Sequence, residues 1–159
     1  EALRSFEEAV RLEPASAAIR RALGNARHKA GDTKGAKSDW VAAAELGRRS
    51  LGVNPRDPYQ LQNLAYCLAR LGRTAEAQAT ARQAIEAGPA SADAHYGAAT
   101  VFSMTGDREK ALALLRKALA LGASASLAAQ DDDFAAIRGT KEFATILRRS
   151  VTTKERRLQ

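Results

Sequence analysis

The chain has 159 residues, of which 45% are hydrophobic, 5% aromatic and 27% charged, with a formal net charge of +7. That composition excludes wholesale disorder, leaves room for one domain or one short array, and with alanine abundant and large rings scarce points to helices packed through small side chains. The lone Cys67 cannot close an internal disulfide, and no run reaches the roughly 18 apolar residues of a membrane span or has the basic-then-apolar start of a signal peptide, so a cytoplasmic or cytosol-facing setting is expected.

The chain opens inside a helical pattern, Ala2, Phe6 and Ala9, closed by Glu13-Pro14. With no initiating methionine, this reads as the second helix of a pair whose first helix precedes Glu1. An apolar stripe of Leu3, Phe6 and Val10 without that partner predicts either self-association through the opening helix or a mobile one. A single spacing then recurs three times: Gly24, Gly31, Ala36, Trp40, Ala43; Ala65, Gly72, Ala77, Ala81, Ala84; and Ala99, Gly106, Ala111, Leu115, Ala118. Each set steps by seven, five, four and three residues. A fixed internal period marks modules that bury their apolar faces by stacking on one another. Within each set, apolar residues return at helical spacing, and Gly31-Asp32, Gly72-Arg73-Thr74 and Gly106-Asp107 break the pattern midway. Glycine there ends one helix, and Asp or Thr is placed to cap the next. Glu13-Pro14, Asn54-Pro55 and Gly88-Pro89 separate the pairs, since proline lacks the N–H a helix needs and restricts its predecessor.

One interval is longer than its equivalents. Ala43 to Pro55 spans twelve residues, where Ala9 to Pro14 and Ala84 to Pro89 span five. Seven extra residues are close to two helical turns, so the second helix is expected to lengthen through Glu45, Leu46, Arg48, Arg49 and Leu51 without changing face.

Leu23-Gly24-Asn25-Ala26, Gly31-Asp32, Ala36, Trp40 and Ala43 together resemble the tetratricopeptide repeat family, whose period is about 34 residues. The resemblance runs from 1 to about 125: the second helix of a truncated repeat (1–14), then repeats at about 17–57, 58–91 and 92–125. It implies an all-α fold, a right-handed α-α superhelix with C-terminal capping helices. Arg20 and Arg27 depart from it, standing where the family prefers aromatic side chains, with Trp40 expected to fill the space. After Ala123 the spacing stops. Residues 126–149 resemble the closing piece of bacterial repeat arrays, often appended to kinases or regulators, in which Phe134, Ile137, Phe143, Ile146 and Leu147 would cover the last repeat. In that cap, Asp131-Asp132-Asp133 reads as a helix cap, because it lacks the alternating ligands and glycine of a calcium loop. Residues 150–159 read as a basic flexible tail. Arg148, Arg149, Lys154, Arg156 and Arg157, offset only by Glu155, supply five of the positive charges, which makes nucleic-acid contact a third-ranked reading.

The resemblance implies a concave groove lined by the first helices. Its expected binding residues are Arg21, Asn25 and Lys29 from one repeat, Tyr59, Gln62, Asn63, Tyr66 and Arg70 from the next, and Tyr96 and Thr100 from the last. All three tyrosines fall in this set, and tyrosine combines apolar area with a hydrogen-bonding tip. Arg21, Asn25 and Asn63 match positions at which chaperone-binding members hold a terminal carboxylate, but the third repeat offers Asp93 and Gly97 where those members have basic residues. Two histidines and one cysteine on separate repeats make neither a triad nor a metal site, and no glycine-rich phosphate loop occurs. The expected function is therefore a non-enzymatic scaffold for a protein or peptide partner, without cofactor or metal. The alternative is a regulatory or oligomerising appendage of an upstream bacterial enzyme of kinase or cyclase type.

Overall fold

The computed structural model describes the backbone of residues 2–157 and the side chains of 3–150. Among these residues it is all-helical: α1 (Ala2–Leu12), α2 (Ala17–Lys29), α3 (Thr33–Val53), α4 (Pro58–Arg70), α5 (Thr74–Ala87), α6 (Ala92–Met104), α7 (Arg108–Ala120), α8 (Ala125–Gln130), a 3-10 turn at Asp132–Phe134, α9 (Ala135–Arg138) and α10 (Lys141–Arg157). α2 packs on α3, α4 on α5 and α6 on α7, and each pair stacks on the next through α3–α4 and α5–α6 contacts. The result is a right-handed α-α superhelix.

Local chemistry sets the helix ends. Gly31, Gly72 and Gly106 take φ of +86°, +74° and +90°, a conformation that costs a side-chain-bearing residue about 1 kcal/mol or more. The next amide then reaches back five residues, as from Asp32 N to Arg27 O at 2.9 Å and from Asp107 N to Phe102 O at 3.0 Å, satisfying carbonyls the helix leaves open. Gly122, at φ +109°, closes α7 in the same way before the cap. Ser16, Asp57 and Ser91 accept backbone N–H groups at the starts of α2, α4 and α6, just after the proline turns. One cap differs from expectation: Thr74 lies inside α5, and the capping position falls to Arg73, which makes no side-chain cap bond. Its guanidinium instead holds Glu76 at 2.7 and 2.6 Å, so the first turn of α5 lacks the side-chain acceptor that the starts of α2, α4 and α6 have.

Twelve of the fifteen residues in the three spaced sets are buried, and the three exposed ones are the turn glycines. The register read from the spacing is thus the register of the core. Gly24 is needed because a Cβ there would lie 2.8 Å from the Trp40 ring. α3 runs for 21 residues against 14 in α5, and in its added length Leu51 packs on the core while Arg48 reaches Glu76 at 3.9 Å.

Arg20 and Arg27 have a partner that the sequence reading did not name. Asp39, on α3 and only 2% exposed, receives Arg27 Nη1 at 2.8 Å and Arg20 Nη1 at 3.3 Å. Arg27 extends the network to Glu7 on α1 at 3.2 Å. Where the family would place rings, this repeat is held by a buried carboxylate between two cations. Trp40 does fill the adjacent space, at 4% exposure.

Beyond α7, Phe134 and Ile137 are fully buried and Phe143 and Ile146 nearly so. Phe134 meets Tyr96 edge-on at 5.4 Å and Phe143 at 5.9 Å, and α9 and α10 lie against α7. The backbone of α10 continues helically to Arg157, while the side chains of the basic tail from 151 onward lie outside the described residues.

Candidate functional site: the concave face and the acidic turn

α2, α4 and α6 are the first helices of successive pairs and adjoin one another directly, so side chains one or two turns apart on each converge on one face. There they bound a cleft of about 240 Å³. Arg21 and Asn25 reach it from α2, Gln62 and Tyr66 from α4, and Tyr96, Gly97 and Thr100 from α6. Its remaining wall is Asp131 and Asp133, which come from the cap.

Tyr66 is the hub. It is 6% exposed, with the Arg21 guanidinium 5.0 Å and the Arg70 guanidinium 5.3 Å from its ring centre, distances at which a cation is attracted to an aromatic ring. Arg70 Nε and Nη2 donate to the Tyr66 hydroxyl at 3.0 and 2.9 Å, and Arg70 lies 5.5 Å from the Trp40 ring. Burial, and next to it the charge of Asp133, lifts the Tyr66 phenol well above its ordinary range. The hydroxyl is therefore neutral and hydrogen-bonding at any physiological pH.

The acidic turn is seated on this hub. Arg70 Nη2 donates to Asp133 Oδ1, Tyr96 Oη donates to Asp131 Oδ2 at 2.8 Å, and exposed Lys29 approaches Asp132 at 3.8 Å. Asp131 also caps the 3-10 turn by accepting from Asp133 N at 3.0 Å. Capping is thus one part of what the triple-aspartate run does. The rest, a contact with three successive repeats, was missed; its signal in the sequence is an acidic run in a chain whose expected groove carries Arg21, Lys29 and Arg70. Burial raises the Asp133 carboxyl above its ordinary value in spite of the pull of Arg70. The ion pair is close, yet desolvation exceeds what it returns, a balance common for buried pairs.

The ten expected groove residues divide by environment. Arg21, Gln62, Tyr66, Tyr96 and Thr100 line the cleft together with Asn25, and Arg70 and Lys29 meet the acidic turn at its edge. Asn25 is not free to hold a peptide backbone through its carbonyl oxygen, which accepts from Trp40 Nε1 at 2.9 Å. Thr100 donates its hydroxyl to Gly97 O at 2.8 Å within its own helix. Asn63 is 3% exposed and is absent from the lining, with its Nδ2 lacking a protein partner. Tyr59 stands 56% exposed, apart from the cleft. The three tyrosines therefore stand in different surroundings: Tyr66 is buried, Tyr96 is half-buried against the acidic turn, and Tyr59 is in solvent. Cys67 is fully buried, and burial pushes its thiol up to about 12, which suits packing and opposes nucleophilic chemistry.

A sequence model of the tetratricopeptide repeat family matches residues 1–60 and 63–126. No curated protein matches the chain. Among solved structures the chain is similar to YrrB, described as a TPR protein with an unusual peptide-binding site, at 24% identity, with 76% of each chain covered and a TM-score of 0.43. It is also similar to MamA, at 15% identity over 98% of this chain and 88% of that one with a TM-score of 0.50, and to a MamA RS-1 ArsTM double mutant, at 19% identity over 96% and 84% with a TM-score of 0.51. At these identities the likeness to the MamA structures speaks for the fold alone. With two stretches of family match covering most of its length and the same helix pairs in its structure, the chain belongs to the tetratricopeptide repeat family.

Proposed function

We propose that the chain is a non-catalytic scaffold that holds a peptide segment or a partner domain on its concave face. A protein-interaction role follows from the family. The observation that supports this particular surface is the convergence of Arg21, Gln62, Tyr66 and Tyr96 from three successive repeats on one cleft of about 240 Å³. Such a cleft joins aromatic area, amide and guanidinium in the combination that dominates binding hot spots. Arg21, Gln62 and the exposed Tyr59 are the side chains able to meet a partner directly. Asn25 serves by holding α2 to α3 through Trp40, and Tyr66 and Arg70 by forming the base.

Affinity capture from the source cell, read by quantitative mass spectrometry, tests this. The groove variant Arg21→Ala with Gln62→Ala should lose partners that wild type recovers, with affinity falling about tenfold or more. A Lys117→Ala control, exposed on α7 away from the cleft, should keep them. Partners retained equally by both variants would reject the concave face as the binding surface.

A further inference from the structure

We infer that the cap's Asp131–Asp133 turn is a resident ligand of the concave face, so that the partner this face accepts is an internal acidic segment with aspartates two apart, which binds by displacing the turn. The inference rests on the reading of the concave face as the binding surface and adds the chemistry of the occupant and its regulation.

Four observations carry it. First, the turn supplies groups of the kind the face can receive: Asp133 takes the Arg70 guanidinium, and Asp131 takes the Tyr96 hydroxyl at 2.8 Å. These are charge-assisted bonds, made by residues that alternate along the turn, and such bonds are roughly twice as strong as neutral ones. Second, the seat is cationic and incompletely used. Arg21 lies against Tyr66 and adjoins the same cleft, and its Nε is buried with no hydrogen-bond partner, so a better-fitting acidic segment gains a donor the resident leaves idle. Third, space remains beside the turn, since the cleft keeps about 240 Å³ between the cap and the helices. Fourth, burial lifts the Asp133 carboxyl above its ordinary value even with Arg70 beside it, so part of what the close ion pair returns is offset by desolvation.

What anchors the cap is separate from what occupies the face. Phe134, Ile137, Phe143 and Ile146 bury the cap's apolar side, whereas the aspartates contribute only polar contacts at its edge. The turn can therefore leave the groove by a local rearrangement of residues 130–133 while the apolar anchor stays in place, as sub-global openings of low free energy do. An in-cis occupant reduces the apparent affinity of any competitor by the fraction of chains in which the face is open.

The test uses the full chain and a synthetic peptide of residues 128–136, acetylated and amidated so that it carries no terminal carboxylate, with its triple-asparagine analogue as control. Binding is followed by fluorescence anisotropy against wild type and against Asp131→Arg with Asp133→Arg, whose reversed charges repel Arg70 and empty the seat. The aspartate peptide should bind the variant at least about tenfold more tightly than wild type. The asparagine peptide should bind neither, and Arg70→Ala added to the variant should remove the binding. Equal affinity for wild type and variant, or binding only by a peptide with a free C-terminal carboxylate, would overturn the inference. Should the variant lose its helical circular dichroism, hydrogen exchange on wild type decides instead: saturating aspartate peptide must raise the exchange of amides 131–134, and unchanged protection counts against displacement. If affinity capture still depends on Arg21 and Gln62 while the acidic peptide fails, the displacement mechanism falls and the concave binding surface stands. If both fail, the surface falls too.

Discussion

Replacing Asp39 by alanine should destabilise the first complete repeat by about 2–3 kcal/mol, and restoring an apolar site should recover most of that loss. Asp39 is 2% exposed and neutralises two guanidiniums, at 2.8 Å from Arg27 and 3.3 Å from Arg20. Removing one member of a buried pair costs about 3–5 kcal/mol, chiefly because the partner charge is left in a poor solvent. Here the Arg27 and Arg20 side chains keep 26% and 28% of their exposure, so both can turn partly to water and the lower estimate applies. For a chain of this length such a loss corresponds to a fall in Tm of roughly 4–12 °C. The combination Arg20→Leu, Arg27→Phe and Asp39→Ala removes every charge of the triad at once. Replacing buried ionic groups with apolar ones of similar volume is often neutral or stabilising, and Glu7 and Asp32, the remaining partners of Arg27, are themselves well exposed. The triple variant should therefore melt within a few degrees of wild type. Urea titration followed by circular dichroism, supported by thermal melts, measures both. If Asp39→Ala alone changes stability by less than about 0.5 kcal/mol, or if the triple variant is as unstable as the single one, the triad is not what holds α1, α2 and α3 together.

Other expectations test separate elements. Gly24→Ala places a Cβ 2.8 Å from the Trp40 ring and should cost about 1–3 kcal/mol in the same titration, whereas a neutral result would mean that Trp40 moves freely. Arg73→Ser gives α5 the side-chain cap it lacks and should raise stability by about 0.5–1 kcal/mol, unless loss of the Glu76 pair outweighs the cap, which a lowered Tm would reveal. Phe134→Ala empties a fully buried site between Tyr96 and Phe143 and should cost about 3–5 kcal/mol; its readout is proteolysis within 125–150, and unchanged resistance there would deny the cap its anchoring role. With the Cys67 thiol at about 12 instead of the reference 9, its thiolate fraction at pH 8 is about a thousandfold smaller than in an unperturbed thiol. Alkylation of the folded chain by iodoacetamide should therefore be slow at that pH and become fast only in denaturant, and rapid labelling without denaturant would contradict its burial.

The turns and the core register were readable because both are set locally. Glycine five residues before a buried alanine acts locally, and the structure keeps it at Gly31 and Gly106; the serine caps two residues after proline, Ser16 and Ser91, are equally local but were not among the expectations. Arg73 shows the limit, since a threonine one residue further on does not cap when the backbone has already become helical there. Contacts between elements were less legible. Arg20 and Arg27 stood out as departures from the family pattern, but finding their partner required noticing that Asp39 sits next to the buried anchor Trp40, an acid on an otherwise apolar face. The helical frame brings Arg21, Gln62, Tyr66 and Tyr96 to one cleft, on the face that the family resemblance implied. What covers Tyr66 and Tyr96 depended on the path of the chain after Gly122, which no periodicity describes.

That path also bears on how the molecule comes apart. In a plain array each unit touches only its neighbours, so stability is nearly a sum of local terms and unfolding can travel inward from either end. Asp133 instead reaches back 63 residues to Arg70 on α4, past the whole of the last pair, and Asp131 reaches Tyr96 on α6. The segment that follows α7 is thereby tied to the middle of the array as well as to the pair it covers. The contacts of the central pair are complete only once the acidic turn has docked, so this turn is coupled to α4 as well as to α6, and a one-dimensional stack gains a link that skips a unit.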